Sequence, residues 1–304
     1  MSHVGRRNQI GITIDPDGLI EHQIPFLDCT LQERHTPIGD IQAKGRRDSE
    51  GGESVEGKKW GDGKIDVVLD PITAPYWFAM ALGTITSTVP KTHVITQETL
   101  NAPLTAVIKR ERNVGDAIKF TNSAVDSLEL SFADDVAKLS VNLMSKFPTA
   151  DTFSPSEETT LQYYTFKQAT VETGAGEIKV RELTLRIENN AEMIYAPGSN
   201  DVDRILWKSF KVSGSFKLLF ESETQKDAFK DLDKQSLTIT FTGADPVSTI
   251  TILIPQFRVD NWTEEASIDD LAHEGIDFVA EYKTDKTMNV TIVNSVDEYE
   301  TPES

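Results

Sequence analysis

The sequence predicts a mainly β protein, an antiparallel β-sandwich with one or two short helices. Three observations predict it. Apolar and polar residues alternate at every second position through the C-terminal two-thirds, as they do in half-buried antiparallel strands. Turn-like breaks separate these alternating segments, and helical patterns are scarce. Alternating βαβ units are therefore not expected.

The clearest predicted strand covers residues 210–221. Phe216 and Leu218 fall on one face of this segment, and Lys211 and Lys217 fall on the other. The same alternation recurs in seven shorter segments, at residues 128–132, 139–143, 183–187, 237–241, 250–254, 278–282 and 290–292. Breaks at 133–135 and 242–246 are short enough to join neighbouring strands as hairpins.

Two segments predict helices. Residues 222–232 begin with Ser222 as a potential N-cap, and Gln225 completes a capping box. Phe229 and Leu232 share one face of this segment, which predicts packing on a sheet. The second helix is predicted over residues 74–82, and Gly83 follows it as a C-cap.

The chain is expected to form one domain over residues 1–294, with a long loop at 43–64 and an acidic tail at 295–304. The loop is rich in glycine and charge, and such a composition buries too little apolar surface to become ordered alone. The tail is expected to be disordered or to become ordered only against a partner.

The charge balance narrows the functional classes. The 304 residues include 30 Lys and Arg against 49 Asp and Glu, for a net charge of −19. This excess disfavours binding to nucleic acid or to an anionic membrane, since both need a basic surface. It is compatible with ordinary solubility control or with a high-salt host.

Targeting signals and cysteine chemistry also look absent. No apolar run approaches the 18–20 residues of a membrane span, and residues 1–16 lack the apolar core of a secretory signal. The single Cys29 excludes an intrachain disulfide and predicts a small buried side chain. Synthesis in a cytoplasm is therefore expected.

No catalytic or cofactor motif stands out. The five histidines lack zinc-ligand spacing, and neither a Gly-x-Ser-x-Gly elbow nor a phosphate loop occurs. The acid pairs Asp134-Asp135 and Asp269-Asp270 lack the spaced oxygen ligands of a calcium loop. We therefore expect no catalytic residue, no metal and no cofactor, and a structural role rather than an enzymatic one.

The order of segments resembles the major tail tube proteins of long-tailed bacteriophages and related archaeal viruses. The similarity spans about residues 65–293, preceded by a glycine-bounded segment at 51–57. Leu69-Asp70-Pro71 with Trp77 and Leu82-Gly83 is similar to the family's short apolar helix. The later segments that carry the resemblance are 115–132, 137–146, 182–190, 210–220, 237–243 and 250–255.

The resemblance implies rings, usually hexameric, in which one sheet of each subunit joins a central β-barrel around a lumen. The rings would stack into a tube through which genome DNA passes without specific binding. The implied partners are further copies of the chain, the tape measure protein, the tail terminator and the distal tail protein, with no membrane. The implied location is the virion tail, after assembly in the host cytoplasm.

Candidate site residues follow from this reading. Basic and aromatic residues of the long loop would contact an acidic neighbouring subunit: Arg46, Arg47, Lys58, Lys59 and Trp60. An acidic or neutral lumen wall would not bind DNA, and its candidate residues are Asp126, Glu129, Asp134 and Asp135.

Two other classes stay open at this point. A distal tail or tail terminator protein uses a similar sandwich but forms a single ring. A carbohydrate-active β-sandwich protein would show an acid pair across a cleft.

Overall fold

The computed structural model describes residues 8–14, 22–38, 55–88, 91–111, 116–133, 135–153, 162–244, 247–265 and 271–299. Two α-helices lie within these residues, α1 (Ala74–Leu82) and α2 (Thr224–Asp231), together with a 3-10 turn at Phe166–Gln168. In chain order the strands are β1 (Gln9–Thr13), β2 (His22–Ile24), β3 (Asp28–Cys29), β4 (Gln32–Ile38), β5 (Val55–Val68), β6 (Gly83–Thr88), β7 (Thr92–Gln97), β8 (Ala106–Glu111), β9 (Ala117–Phe132), β10 (Lys138–Ser145), β11 (Thr149–Asp151), β12 (Ala169–Thr173), β13 (Gly176–Ile178), β14 (Val180–Glu188), β15 (Glu192–Tyr195), β16 (Val202–Leu206), β17 (Lys211–Leu219), β18 (Lys234–Thr242), β19 (Thr249–Glu265), β20 (His273–Ala280) and β21 (Asn289–Val293).

Two antiparallel sheets form the sandwich, which confirms the predicted fold class. The first sheet has the order β4-β5-β10-β9-β14-β17-β20-β19. The second has the order β13-β12-β18-β19-β21-β7-β6. The long strand β19 belongs to both sheets, because its first half pairs with β18 and β21 and its second half pairs with β20.

A smaller sheet extends the body on one side. The first half of β9 leaves the first sheet and joins the order β2-β1-β8-β9-β11. Asn122 in β9 has a φ of 51°, a left-handed conformation that asparagine tolerates well, close to where β9 changes partners. Helix α1 contacts β6, β7, β9 and β21, and all of its residues are buried.

Aromatic side chains fill the space between the two sheets. Phe132 of the first sheet meets Phe241 of the second edge to face, with ring centroids 5.6 Å apart. Phe216, Phe257 and Phe278 form a second group, with centroid separations of 5.3 to 6.5 Å. Such pairs stabilise beyond their burial, by about 0.5–1.5 kcal/mol each. The apolar residues of the alternating segments therefore form the inward face of each sheet.

The helix predicted over residues 74–82 is confirmed, and the one predicted over residues 222–232 needs correction. Helix α1 covers the predicted residues and ends at Gly83, whose φ of 109° is left-handed. Helix α2 begins at Thr224 after Glu223, and no side chain caps it. Ser222 instead shares a hydrogen bond with Thr224, and Leu232 is 64% exposed, so the predicted capping box and the Leu232 contact are wrong.

The predicted loop at 43–64 is wrong for its second part. Residues 43–54 lie outside the described residues, whereas 55–64 form the first part of β5. Backbone pairing with β4 orders this segment despite its glycines. That pairing cannot be predicted from the composition of the segment.

The start of the acidic tail is also ordered, contrary to the prediction for residues 295–304. Tyr299 is 3% exposed and donates its hydroxyl hydrogen to the carbonyl of Ile72 at 2.8 Å. The Asn294 amide donates to the Tyr299 hydroxyl and to the Pro71 carbonyl, each at 2.7 Å. Residues 300–304 lie outside the described part.

Candidate functional site: an exposed arm and two outer faces

A two-stranded arm leaves the body of the sandwich. We define the arm as β4 together with residues 55–60 of β5; from Gly61 onward β5 also pairs with β10. Every residue of β4 is exposed, and Ile38 and Val55 pair at the outermost described position. Gly57 faces Thr36 so closely that a Cβ there would overlap the Thr36 carbonyl oxygen. The glycines thus let the two strands approach rather than form a loop.

The base of the arm packs on a small hairpin formed by β15 and β16. Trp60 packs against a cluster separate from the main core, whose other members are Ala124, Met144, Ala191, Met193, Tyr195, Val202 and Ile205. The Trp60 indole N–H donates to Asp62 Oδ2 at 2.8 Å, and Asp62 pairs with Arg34 of β4 at 2.7 Å. These contacts fix the direction in which the arm leaves the body.

The predicted inter-subunit residues that the structure describes already have contacts within the chain. Lys58 Nζ lies 4.4 Å from the centre of the Tyr195 ring, and Lys59 Nζ lies 5.3 Å from that of Phe147. The Lys59 backbone N–H also donates to the Asn200 carbonyl at 2.8 Å. Arg46 and Arg47 lie outside the described residues. Lys58, Lys59 and Trp60 therefore anchor the arm's base, and contact with another subunit stays a prediction for them.

The outer face of the first sheet carries charges of both signs. Cross-strand neighbours follow one another in register, as in the row Asp66, Ser140, Glu129, Arg186 and Ser213. The charged side chains of this face from β5 to β20 are Lys64, Lys138, Arg186, Lys211 and Lys217 with Asp62, Asp66, Glu129, Glu182, Glu188 and Asp277. The two signs are nearly balanced here, with six acidic side chains against five basic ones, although the chain carries −19.

The predicted lumen residues do not form one group. Glu129 lies on the outer face of the first sheet, opposite Ser140 and Arg186. Asp126 accepts a hydrogen bond from the Ala191 N–H at 2.8 Å and so holds the turn that leads into β15. Asp135 precedes β10 and pairs with Lys138 at 3.4 Å; the Val136 N–H and Lys138 lower the pKa of its carboxyl. Asp134 lies outside the described residues.

The outer face of the second sheet is uncharged from β6 to residues 238–242 of β18 and is dominated by threonine; Lys234, at the start of β18, pairs with Glu281 at 2.7 Å. Register places these threonines side by side, as in the row Thr240, Thr251 and Thr291. The threonines of this face are Thr84, Thr86, Thr88, Thr92, Thr96, Thr170, Thr238, Thr240, Thr242, Thr249, Thr251 and Thr291. Glu172 of β12 is a charged residue at its border.

Open strand edges include three end strands of the two sheets. Among the described residues, β4 pairs only with β5, β6 only with β7, and β13 only with β12. An open edge presents N–H and C=O groups that another chain can pair with. Pro37 interrupts the outer strand of the arm at a shift of register, which limits unguided pairing there.

The described residues offer little for chemistry. No three His, Cys, Asp or Glu side chains among them converge to hold a metal ion. Across the same ranges, no helix is long and apolar enough to cross a bilayer. Cys29 is partly buried, and burial raises the pKa of its thiol.

Comparison with known families decides the class. The family model described as phage tail tube protein matches residues 42–292. The chain belongs to the phage tail tube protein family. The match covers both helices and the two sheets apart from β4, which precedes the matched residues, so the sandwich itself carries the family's signature. No curated protein matches the sequence.

Membership makes the chain a structural protein of a virion tail. Sequence reasoning reached the tail tube family through the order of strands, and the family match confirms that resemblance. It missed the arm and the threonine face. The threonine face could have been found from the repeated Thr-x-Thr pattern in β6, β18 and β19, whereas residues 32–38 carry no apolar–polar alternation that would have marked the arm.

Proposed function

We propose that this tail tube protein assembles with copies of itself into rings, and that the rings stack into the tube that conducts genome DNA into the host cell. Hexameric rings are the expected form. The subunit would be made in the host cytoplasm and would act without catalysis, with the tape measure, tail terminator and distal tail proteins as its partners in the tail.

The observation that carries the proposal is the arm on a chain of this family. A hairpin whose outer strand is exposed at every residue contributes little to the stability of its own subunit. It is continuous with the first sheet, because β5 runs on from the arm and pairs with β10 over residues 61–68. A segment with this geometry suits contact with a second subunit, with residues 39–54 as further contact candidates, Arg46 and Arg47 among them.

The arm also suggests which face lines the bore. If the arm reaches the next ring, β5 runs towards that ring, and the sheet that contains β5 is the one placed to continue around the lumen. Its outer face includes Glu129 and carries nearly equal numbers of acidic and basic side chains, with one acid in excess. A wall without excess positive charge does not hold DNA phosphates by counterion release. The wall we propose is therefore close to neutral, with Glu129 as a member.

Sedimentation and negative-stain microscopy at rising protein and salt concentration test the assembly. Salt should promote it, because the Debye length falls from about 10 Å at 0.1 M to about 3 Å at 1 M and screens repulsion between subunits of charge −19. Tubes of increasing length support the proposal.

Other outcomes of the same experiment separate the alternatives. Single rings that never stack indicate a distal tail or tail terminator role. A monomer at every concentration and salt level contradicts self-assembly.

A further inference from the structure

A polar cavity of about 210 Å³ lies at one end of the sandwich, away from the arm. Its walls come from β13, the end of β17, the first turn of α2 and the start of β20. The side chains that matter for its chemistry are Gln225, Glu274, Glu177, Glu221 and Lys179.

Two buried oxygen-bearing side chains line this cavity. Gln225 is 4% exposed, and its Oε1 has no hydrogen-bond partner. Glu274 is 2% exposed, and its Oε2 accepts a hydrogen bond from the Trp262 indole N–H at 2.9 Å. Buried acceptors in native proteins almost always have a partner, and water or an ion supplies it where the protein does not.

The charge around the cavity favours a cation over water. Glu264 of β19 lies directly opposite Glu274 of β20 in register and adds a second carboxylate nearby. In the described part of the chain Glu274 forms no ion pair, while Glu177 and Glu221 add negative charge at the rim. A water molecule could satisfy Gln225, but it would leave the Glu274 carboxylate without a counter-charge.

We propose that this cavity binds a divalent cation of the calcium type, with the Glu274 carboxylate and the Gln225 amide oxygen as its protein ligands. Hard cations take carboxylate, amide, carbonyl and water oxygens together. One buried carboxylate is a low ligand charge, so affinity in the weak range of about 0.1–1 mM is expected. The inference does not depend on ring assembly.

The chain itself offers one competitor for this site. Lys179 lines the same cavity and makes no ion pair with Glu274 in the described residues. A lysine ammonium that turned inward would satisfy both acceptors without any metal. The experiment must therefore separate an external cation from this side chain.

The test is a titration of calcium chloride into the intact protein, followed by thermal melting and by tryptophan fluorescence. Trp262 donates directly to Glu274, so a cation on that carboxylate changes the electrostatic surroundings of the indole. We expect a saturable fluorescence change with a midpoint of about 0.1–1 mM and a rise in melting temperature over the same range. Magnesium should act more weakly, because it requires stricter geometry and gives up water reluctantly.

Matched variants assign the response to the cavity. Glu274→Gln keeps the shape of the side chain and the acceptor for Trp262 but removes the charge. Gln225→Leu removes the amide oxygen. Both variants should lose the response to calcium. Glu172→Gln, which changes an exposed acid on β12, should keep it. Without calcium at neutral pH, Glu274→Gln should melt at or above the wild-type temperature, which shows that the variant is folded.

Three results would overturn the proposal. One is the absence of any saturable response in the wild type up to about 10 mM calcium, ten times the weak end of the expected range. Another is an unchanged response in Glu274→Gln. The third is a response that appears only in Lys179→Met, which would mean that the lysine occupies the cavity in the native protein.

Discussion

The arm and the C-terminal segment 294–299 have similar polar compositions and very different positions. The arm exposes all of β4, and its tip pairs Ile38 with Val55 in solvent. The C-terminal segment inserts Tyr299 into the core, where its ring meets the rings of Tyr76 and His93 at 5.1 and 4.6 Å. The tip of the arm is held by strand pairing, and the C-terminal segment by a buried aromatic side chain with hydrogen bonds.

This difference predicts that the two segments serve different purposes, the C-terminal segment the stability of the subunit and the arm the assembly of subunits. Changes at the C-terminal segment should act on the folded subunit, because its contacts join residues far apart in sequence. Changes at the tip of the arm should leave the subunit intact and act on contacts between copies. The comparison fails if the tip of the arm proves essential for folding or if Tyr299 proves dispensable.

The largest effect is expected for Tyr299→Ala. Removing a buried aromatic side chain typically costs about 3–5 kcal/mol of the free energy of unfolding. Tyr299→Phe should cost about 1–2 kcal/mol, because it leaves the Ile72 carbonyl without its donor. Urea unfolding measures both.

Glu298→Ala is the matched control, since Glu298 is an exposed neighbour, and it should change the free energy by less than about 0.5 kcal/mol. Equal stability of Tyr299→Ala and the wild type would show that the C-terminal segment is not anchored in solution.

A smaller effect is expected from pH, through His93. Its Nε2–H faces the Asn294 side-chain oxygen and the Val296 carbonyl, each at 3.1 Å, and its Nδ1 lies 2.9 Å from the Ser87 hydroxyl. Burial lowers the pKa of this imidazole below its ordinary value, while the two oxygen acceptors partly oppose the shift. The nearest ion pair of the segment, Lys91 with Asp297 at 3.7 Å, is at the surface.

The direction of the pH effect follows from linkage. Below about pH 6.5 the unfolded chain takes up a proton on His93 that the folded chain resists, so stability falls as the pH falls towards the lowered pKa. Above about pH 6.5 both states are neutral there, and this contribution vanishes. Glu274, whose pKa is raised, acts in the opposite sense, so the useful quantity is the difference between two proteins.

Between pH 8 and pH 5 the melting temperature should fall further in the wild type than in His93→Gln. His35→Gln, which changes an exposed histidine of β4, should follow the wild type. Parallel curves for the wild type and His93→Gln would contradict a neutral buried imidazole.

The smallest effect on stability, and the largest on assembly, is expected at the tip of the arm. Ile38→Asp with Val55→Asp should change the free energy of unfolding by less than about 0.5 kcal/mol each, because the two side chains are 44% and 60% exposed. The same change places two charges at the proposed contact and should prevent stacking of rings.

Leu232→Asp is the control for charge added at an exposed apolar residue, and it should assemble normally. If the arm variant forms tubes as readily as the wild type, the arm is not the contact between rings.

Much of the sandwich could be predicted because the patterns that specify its strands and helices lie within short segments of the sequence. The alternation in residues 210–221 and the apolar run closed by Gly83 encode a strand and a helix without reference to anything distant. The arm could not be predicted in this way, because β4 and β5 become ordered by pairing across a gap in sequence. Tyr299 was missed for the same reason, since its partner carbonyl at Ile72 lies 227 residues away.

The candidate site was less predictable than the fold. Charge and composition indicate the kind of wall that DNA requires, but not which face of a strand looks outward. Register decides that Glu129 lies among outer-face residues while Asp126 is used to hold a turn. The cavity at Glu274 joins side chains from four elements and has no sequence pattern of its own.

The most direct test of the account is a cryo-electron microscopy structure of the assembled tube. We expect stacked rings in which each arm contacts a subunit of the next ring. The first sheet should line a bore with no ring of unpaired lysine or arginine, and the threonine face should lie outside. An assembly in which the threonine face lines the bore, or in which the arms touch no neighbouring ring, would contradict it.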